Sequence, residues 1–278
     1  MLFARLRTIS LIGCFFNFEK VVSFGRNPSS SSLRTTITVT SSCLDMVTGG
    51  DASTPSVGGR GGSGDHTRRI KVLALHGSGS DARSFESVIN EFKETAFFSH
   101  GLDFDITAID APVQKDRGYA WWSMPPSVRS FNATEYTGFD VSSEKVIRTI
   151  RESDPPFDVV FGHSQGAILT TALLALEKIP AHPTIGYILN GGAWPNPYTK
   201  ELESLTASKD CRVLLVIGDT DTINAPPQQE RVQEALKDAG CDVSAIRHPG
   251  GHSVPTKNIE AVEYIIDWVA DGVKAPQA

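Results

Sequence analysis

Val159-Val160-Phe161-Gly162-His163-Ser164-Gln165-Gly166-Ala167 reads as strand, sharp turn and helix with a serine at the apex. An apolar run ending at Phe161 leads into Gly-x-Ser-x-Gly, and Ala167, Ile168, Leu169, Ala172, Leu173 and Leu176 form a helix-like run beyond it. The turn should hold the Ser164 backbone at positive φ, so its neighbours must be small. Gly162 and Gly166 remove the side chains that would clash there. The hydroxyl then stands above the sheet at a helix N-terminus, whose free N–H groups and dipole favour negative charge, such as the oxyanion of acyl transfer. The pentapeptide alone is a weak signal. A glycine-bordered turn before a packed amphipathic helix is the plain structural alternative, so chemical partners must be found elsewhere in the chain.

The composition is that of an ordinary globular protein rich in turns: 278 residues, 40% hydrophobic, with 24 Gly and 16 Pro. A core of that size needs no disulfide or metal. The net charge of −6 argues against a nucleic-acid or anionic-membrane partner. No apolar run approaches the length needed to span a bilayer, so a soluble protein without an integral membrane segment is expected. Cys14, Cys43, Cys211 and Cys241 form no CxxC pair and have no metal-like spacing with histidine. Cys211 and Cys241 each begin an expected strand, which suits two reduced thiols at one end of a sheet better than a disulfide.

Residues 1–68 differ from the rest. Arg5, Arg7, Lys20, Arg26 and Arg34 are opposed before Asp45 only by Glu19, and a Ser/Thr-rich tract follows. That is the composition of an organelle transit peptide in residues 1–45; an extension with no address, or a true start at Met46, is the alternative. Residues 49–64 read as a Gly-rich linker, and the whole segment as disordered.

From residue 69 to 272, ahead of a tail at 273–278, strands alternate with helices. Strands are expected at Ile70–Leu75, Phe104–Ile109, before Ser164, at Ile185–Leu189, Arg212–Ile217 and Val243–Arg247. One helical pattern runs from Phe85 to Phe97, and others at Ser142–Glu152, Lys200–Leu205, Pro227–Ala239 (stopped by Gly240) and from Thr256, a plausible N-cap, to Ala270. Gln114–Asp140 is irregular and aromatic, long enough to imply a job. The expected architecture is α/β: a mainly parallel sheet with helices on both faces and an aromatic insertion near the site. Ligands of such sheets bind at the carboxyl ends of the strands, where each candidate chemical group falls.

A serine needs a base to take its proton and a carboxylate to orient that base. Ser164, Asp221 and His252 supply the order nucleophile, carboxylate, histidine on loops after three successive expected strands. Asp219 follows the same strand as Asp221, and spacing does not separate them. Asp221 is preferred because it lies farther along, where the loop can turn back. His248 is nearer its strand and precedes proline, as a packed residue would, whereas His252 follows Gly250-Gly251. For the oxyanion, Gln165 should supply one backbone N–H and Ser78 the other. His76 reads as a structural ring bonding loop backbone. Trp121, Trp122 and Trp194 are candidates for the wall of an acyl pocket, with plain core as the alternative. Asn132-Ala133-Thr134 is a formal glycosylation sequon, relevant only to a secreted chain.

Leu75-His76-Gly77, Asp110-Ala111-Pro112, Ala120-Trp121-Trp122, Gly162-His163-Ser164-Gln165-Gly166, Gly218-Asp219-Thr220-Asp221 and His248-Pro249-Gly250-Gly251-His252 stand in an order that resembles the family-serine-hydrolase group of α/β-hydrolases, which includes the ovarian-cancer-associated-gene-2-like proteins. The resemblance runs from about Ile70 to Val269. It implies an α/β-hydrolase fold and a serine esterase acting on small-molecule esters or thioesters through Ser164, Asp221 and His252. It also implies no metal or organic cofactor, and residence in the cytoplasm or nucleus; a working transit peptide would move the protein to mitochondrion or plastid. The long N-terminus and the loop Asn190-Gly191-Gly192-Ala193-Trp194 depart from the pattern. An acyltransferase or thioesterase on carrier-bound acyl groups, and a receptor or scaffold that lost turnover, remain as alternatives.

Overall fold

The computed structural model describes residues 8–11, 14–19, 38–42, 67–206 and 211–274. The chain divides into two units, Met1–Gly62 and Ser63–Ala278. In the first, strands β1 (Thr8–Leu11), β2 (Cys14–Glu19) and β3 (Thr38–Ser42) pair antiparallel in that order. This is regular structure within a segment whose composition suggested none. The linker at 49–64 lies outside the described residues.

The second unit begins with β4 (Arg68–Leu75), α1 (Ala82–Asn90), α2 (Lys93–His100) and β5 (Leu102–Ile109). A two-residue hairpin pair follows, β6 (Val113–Gln114) with β7 (Tyr119–Ala120), then α3 (Phe139–Arg151), β8 (Val159–His163) and α4 (Gln165–Ala175). The chain continues through β9 (Gly186–Asn190), α5 (Thr199–Glu203), β10 (Arg212–Gly218), α6 (Pro226–Asp238), β11 (Asp242–His248) and α7 (Ile259–Lys274).

Six strands form one sheet in the order β11-β10-β9-β8-β4-β5, every pair parallel. The alternation of side chains along each strand divides the core in two. Leu73, Leu75, Val160, Val213, Leu215 and Ile217 face α3, α4 and α6. Ile70, Val72, Ala74, Val159, Phe161, Leu214 and Val216 face α1, α2 and α7. Strands buried on both faces are near-continuous apolar runs, which is why they were legible as sequence. The chain leaves β4 for the β5 edge, then crosses back to lay β8 against the other side of β4. This reversal opens a crevice between the carboxyl ends of β4 and β8.

Three local expectations are corrected. The pattern from Phe85 to Phe97 is two helices: the C-cap of α1 falls at Glu91, and α2 restarts after Phe92. α4 is not amphipathic, since all residues from Gln165 to Ala175 are buried. A helix laid between sheet and neighbouring elements needs no polar face, and each leucine it buries contributes roughly 1.5–3 kcal/mol. Thr256 does not cap the last helix. Asn258 does, its Oδ1 accepting from Ala261 N at 2.8 Å after a turn in which Asn258 N donates to Pro255 O.

Candidate active site

Ser164 sits between β8 and α4 with φ 53° and ψ −116°. The glycines on either side are required by close backbone packing. A Cβ on Gly162 would lie 2.7 Å from Ala167 N, and one on Gly166 would lie 2.7 Å from the Leu75 carbonyl carbon and closer still to its oxygen. The elbow is thus wedged against the end of β4 and tied to β9, because Ser164 N donates to Asn190 O at 2.9 Å. The first N–H groups of α4 have no intrahelical acceptor and face the crevice end of the helix.

The loops after β10 and β11 cross in contact. Asp219 N donates to His248 O at 2.8 Å and Thr220 N to Gly250 O at 3.1 Å, while any side chain on Gly218 would strike the Gly250 and Gly251 carbonyls. This packing sets His252 over Ser164 and beside Asp221. Ser164 Oγ is 2.8 Å from His252 Nε2, and His252 Nδ1 is 2.7 Å from Asp221 Oδ2. A carboxylate only accepts, so Nδ1 carries the proton and Nε2 is left to accept from the serine hydroxyl.

The Asp221 side chain is inaccessible to solvent. Its Oδ1 accepts from Ile223 N at 2.8 Å and Asn224 N at 2.9 Å, and Oδ2 also receives Gln229 Nε2 at 3.4 Å. Asn224 Nδ2 donates in turn to Gly191 O, and Gln229 Nε2 to Asn224 O, both at 2.8 Å. Asn224 and Gln229 were not found by sequence reasoning, since nothing local marks an amide three or eight residues past a carboxylate as its support. Gly191, in the loop that departs from the family pattern, has φ 59°, and a Cβ there would lie 3.3 Å from the His252 ring.

The competing residues lie elsewhere. Asp219 is exposed and paired with Arg247 at 2.7 Å. His248 is buried, its Nδ1 accepting from Gly250 N, and burial lowers its pKa. His76 is fully buried with both nitrogens engaged: Nε2 accepts from Ala111 N at 3.0 Å, so Nδ1 carries the proton and donates to Gly77 O at 2.7 Å. Burial depresses its pKa too. His163 stands beside His252 with ring centres 5.2 Å apart, and its Nδ1 pairs with Asn190 Nδ2 at 2.8 Å. Burial, reinforced by the neighbouring His252, pushes His163 down to about 3, so it stays neutral and does not repel a charged His252 ring.

A cleft of about 730 Å³ opens on Ser164 and His252, walled by Gly77 to Ser80, Phe85, Val88, Arg129, Ile223, Val254 and Lys257. Ser78 and Gln165 also border a neighbouring cavity of about 490 Å³ lined by Trp122, Met124 and Val128. Trp121 and Trp194 do not line the cleft. Trp121 is fully buried, donating through Nε1 to His76 O at 2.7 Å and through its backbone N to Gln165 Oε1 at 3.0 Å. Trp194 is buried under the Arg231 guanidinium, 3.6 Å above its ring. These tryptophans anchor loops, because their N–H groups find backbone and hydroxyl partners inside the core. Trp122 stacks on Tyr136 at 4.2 Å and borders only the second cavity.

Cys211 and Cys241 are free and buried, with sulfurs 2.7 Å apart at the amino ends of β10 and β11. Among the described residues no cluster of His, Cys, Asp and Glu could hold a metal, and no helix is long and apolar enough to cross a membrane.

Residues 66–264 match the family model described as Serine hydrolase (FSH1). The chain is 30% identical over 207 residues to Esterase C25G4.2 of Caenorhabditis elegans, covering 68% of this chain and 87% of that one. It is 29% identical over 208 residues to Esterase OVCA2 of Xenopus tropicalis, again 68% and 87%. Among solved structures it resembles esterase PE8, with a TM-score of 0.59 at 20% identity over 74% of this chain and 94% of the other. It also resembles SOBER1 of Arabidopsis thaliana, with a TM-score of 0.56 at 20% identity over 74% and 99%. The fold is that of the α/β-hydrolases, and the chain belongs to the serine hydrolase (FSH1) family.

Proposed function

We propose that this protein hydrolyses carboxylic esters in two steps through an acyl-enzyme. Ser164 Oγ attacks the acyl carbonyl as His252 Nε2 takes its proton, and Asp221 holds the imidazolium so formed. The backbone N–H groups of Ser78 and Gln165 receive the charge that develops on the carbonyl oxygen. Collapse of the tetrahedral species expels the alkoxide, which leaves as the alcohol with the proton from His252. Water, deprotonated by the same nitrogen, then releases the acid and restores the serine. The observation that carries this reading is the hydrogen-bonded line Ser164 Oγ to His252 Nε2 and His252 Nδ1 to Asp221 Oδ2, opening on a cleft. Residues 69–272 form the catalytic domain in this reading, and the cytoplasmic or nuclear residence that the family resemblance implies is part of it.

A fluorophosphonate probe tests it directly. Adduct mapped to Ser164 by mass spectrometry, lost in Ser164→Ala and His252→Ala, together with turnover on an ester and thioester panel, is the expected result. Well-folded protein that neither labels nor turns over would refute it in favour of a non-catalytic receptor.

A further inference from the structure

The surroundings of Ser164 hold donors without acceptors. Arg129 lines the cleft, is exposed, and makes no ion pair among the described residues. Lys115 lines the second cavity, where its Nζ donates to Ser78 Oγ at 3.2 Å and meets no carboxylate among the described residues. Ser78 is a wall shared by cleft and cavity. The indole N–H of Trp122, also in the wall of that cavity, is buried with no hydrogen-bond partner. A buried donor left unpaired costs stability, and this one belongs to the wall of the cavity that shares Ser78 with the cleft.

The local charge is also one-sided. Lys257, the other cation on the cleft, is paired with Glu91, and Asp116 is the single acid lining either space. Asp221 is spent on His252 and its other donors. A chain of net charge −6 thus keeps, among the described residues, two cations without a carboxylate partner, Arg129 on the cleft that holds Ser164 and Lys115 on the cavity that shares Ser78 with it. A low-salt encounter with an anionic substrate is steered by such an arrangement, and an arginine adds bidentate geometry.

We propose that the site selects esters or thioesters carrying a second, anionic group, a carboxylate or phosphate held at the Ser78 edge by Arg129 and Lys115. The apolar wall of Phe85, Val88, Ile223 and Val254 takes the hydrocarbon part. This rests on the ester-hydrolase reading above.

The test compares charged and neutral partners of matched size. One pair places the anion on the acyl half (mono-4-nitrophenyl glutarate against 4-nitrophenyl valerate). The other places it on the leaving group (S-butyryl-3-mercaptopropanoate against S-butyryl-3-mercaptopropanamide). In the wild type, kcat/KM should favour the charged member of one pair by about tenfold, as a hydrogen bond to a charged group allows. Added salt should erode that preference, and the pair that shows it identifies which half of the substrate carries the charge. Arg129→Gln should reduce the ratio by about tenfold and Lys115→Gln by less, with Arg129→Lys retaining most of it. Equal kcat/KM within both pairs, or ratios unaltered in both glutamine variants, overturns the proposal while leaving the esterase standing. Failure to turn over any member, with no fluorophosphonate adduct at Ser164, overturns the esterase reading itself.

Discussion

Asp221→Asn separates orientation of the histidine from everything else at the site. Oδ1 accepts two backbone N–H groups, from Ile223 and Asn224, so an asparagine keeps its oxygen there and turns its NH2 toward His252. That NH2 cannot accept from Nδ1, which at 2.7 Å must itself become the acceptor. The ring proton then moves to Nε2, the nitrogen 2.8 Å from Ser164 Oγ that takes the serine proton in the proposed mechanism. Both backbone contacts at Oδ1 are kept and only the long contact from Gln229 Nε2 at 3.4 Å loses its acceptor, yet the proposed base is in the wrong tautomer. Loss of the base and of imidazolium stabilisation should lower kcat/KM by about 10³- to 10⁴-fold, about 4–5.5 kcal/mol of transition-state stabilisation. Asp219→Asn removes only an exposed pair with Arg247, worth about 1 kcal/mol of stability at most, and should leave kcat/KM within about twofold. The assay is release of 4-nitrophenol from a short-chain ester, with circular dichroism melts as the folding control. An Asp221→Asn enzyme retaining more than about a tenth of wild-type kcat/KM would refute the orientation argument, and a larger loss in Asp219→Asn would exchange the two roles.

Gly166→Ala drives a methyl into the backbone of β4 at Leu75 and should cost about 3 kcal/mol or more, whereas Gly192→Ala, 3.3 Å from the Ala167 methyl, should cost about 1 kcal/mol. Urea unfolding measures both, and equal midpoints would mean the elbow is not wedged as described. Acid should destabilise the fold before its carboxylates titrate. His76, His163 and His248 all have pKa values lowered in the native state, chiefly by burial. Above the unfolded value near 6.5 they are neutral in both states and contribute no pH dependence; below it the unfolded chain binds protons that the native state refuses. Stability should therefore fall as pH drops from 6.5, by on the order of 1 kcal/mol for His163 by pH 5.5, with His76 and His248 acting in the same direction. An unchanged urea midpoint between pH 7.5 and pH 5.5 would show that these rings charge freely in the folded protein.

What the sequence determined by itself is whatever the chain writes locally. Apolar runs of strand length, helical spacing between them and two glycines around Ser164 specify an alternating α/β chain with an elbow, because backbone sterics and side-chain period act over a few residues. His76 was legible as a structural ring because it follows β4 directly and bonds its neighbour Gly77, whereas its second partner, Ala111, comes from the loop after β5 and is a matter of tertiary structure. The choice between Asp221 and Asp219 was not settled by spacing. Two carboxylates on one loop differ only in which faces inward, and the crossing of the β10 and β11 loops fixes that. Neither Arg129 nor Ile223 carries any local mark of lining a cleft, and nothing local distinguishes the buried Trp121 and Trp194 from pocket walls. Asn258 displaced Thr256 as a cap because the turn from Pro255 delays the helix. Ser164, His252 and Asp221 meet only because the sheet order lays β8 beside β4, β9 beside β8, and β10 between β9 and β11. That order is a property of long-range strand pairing, which single residues along the chain do not encode.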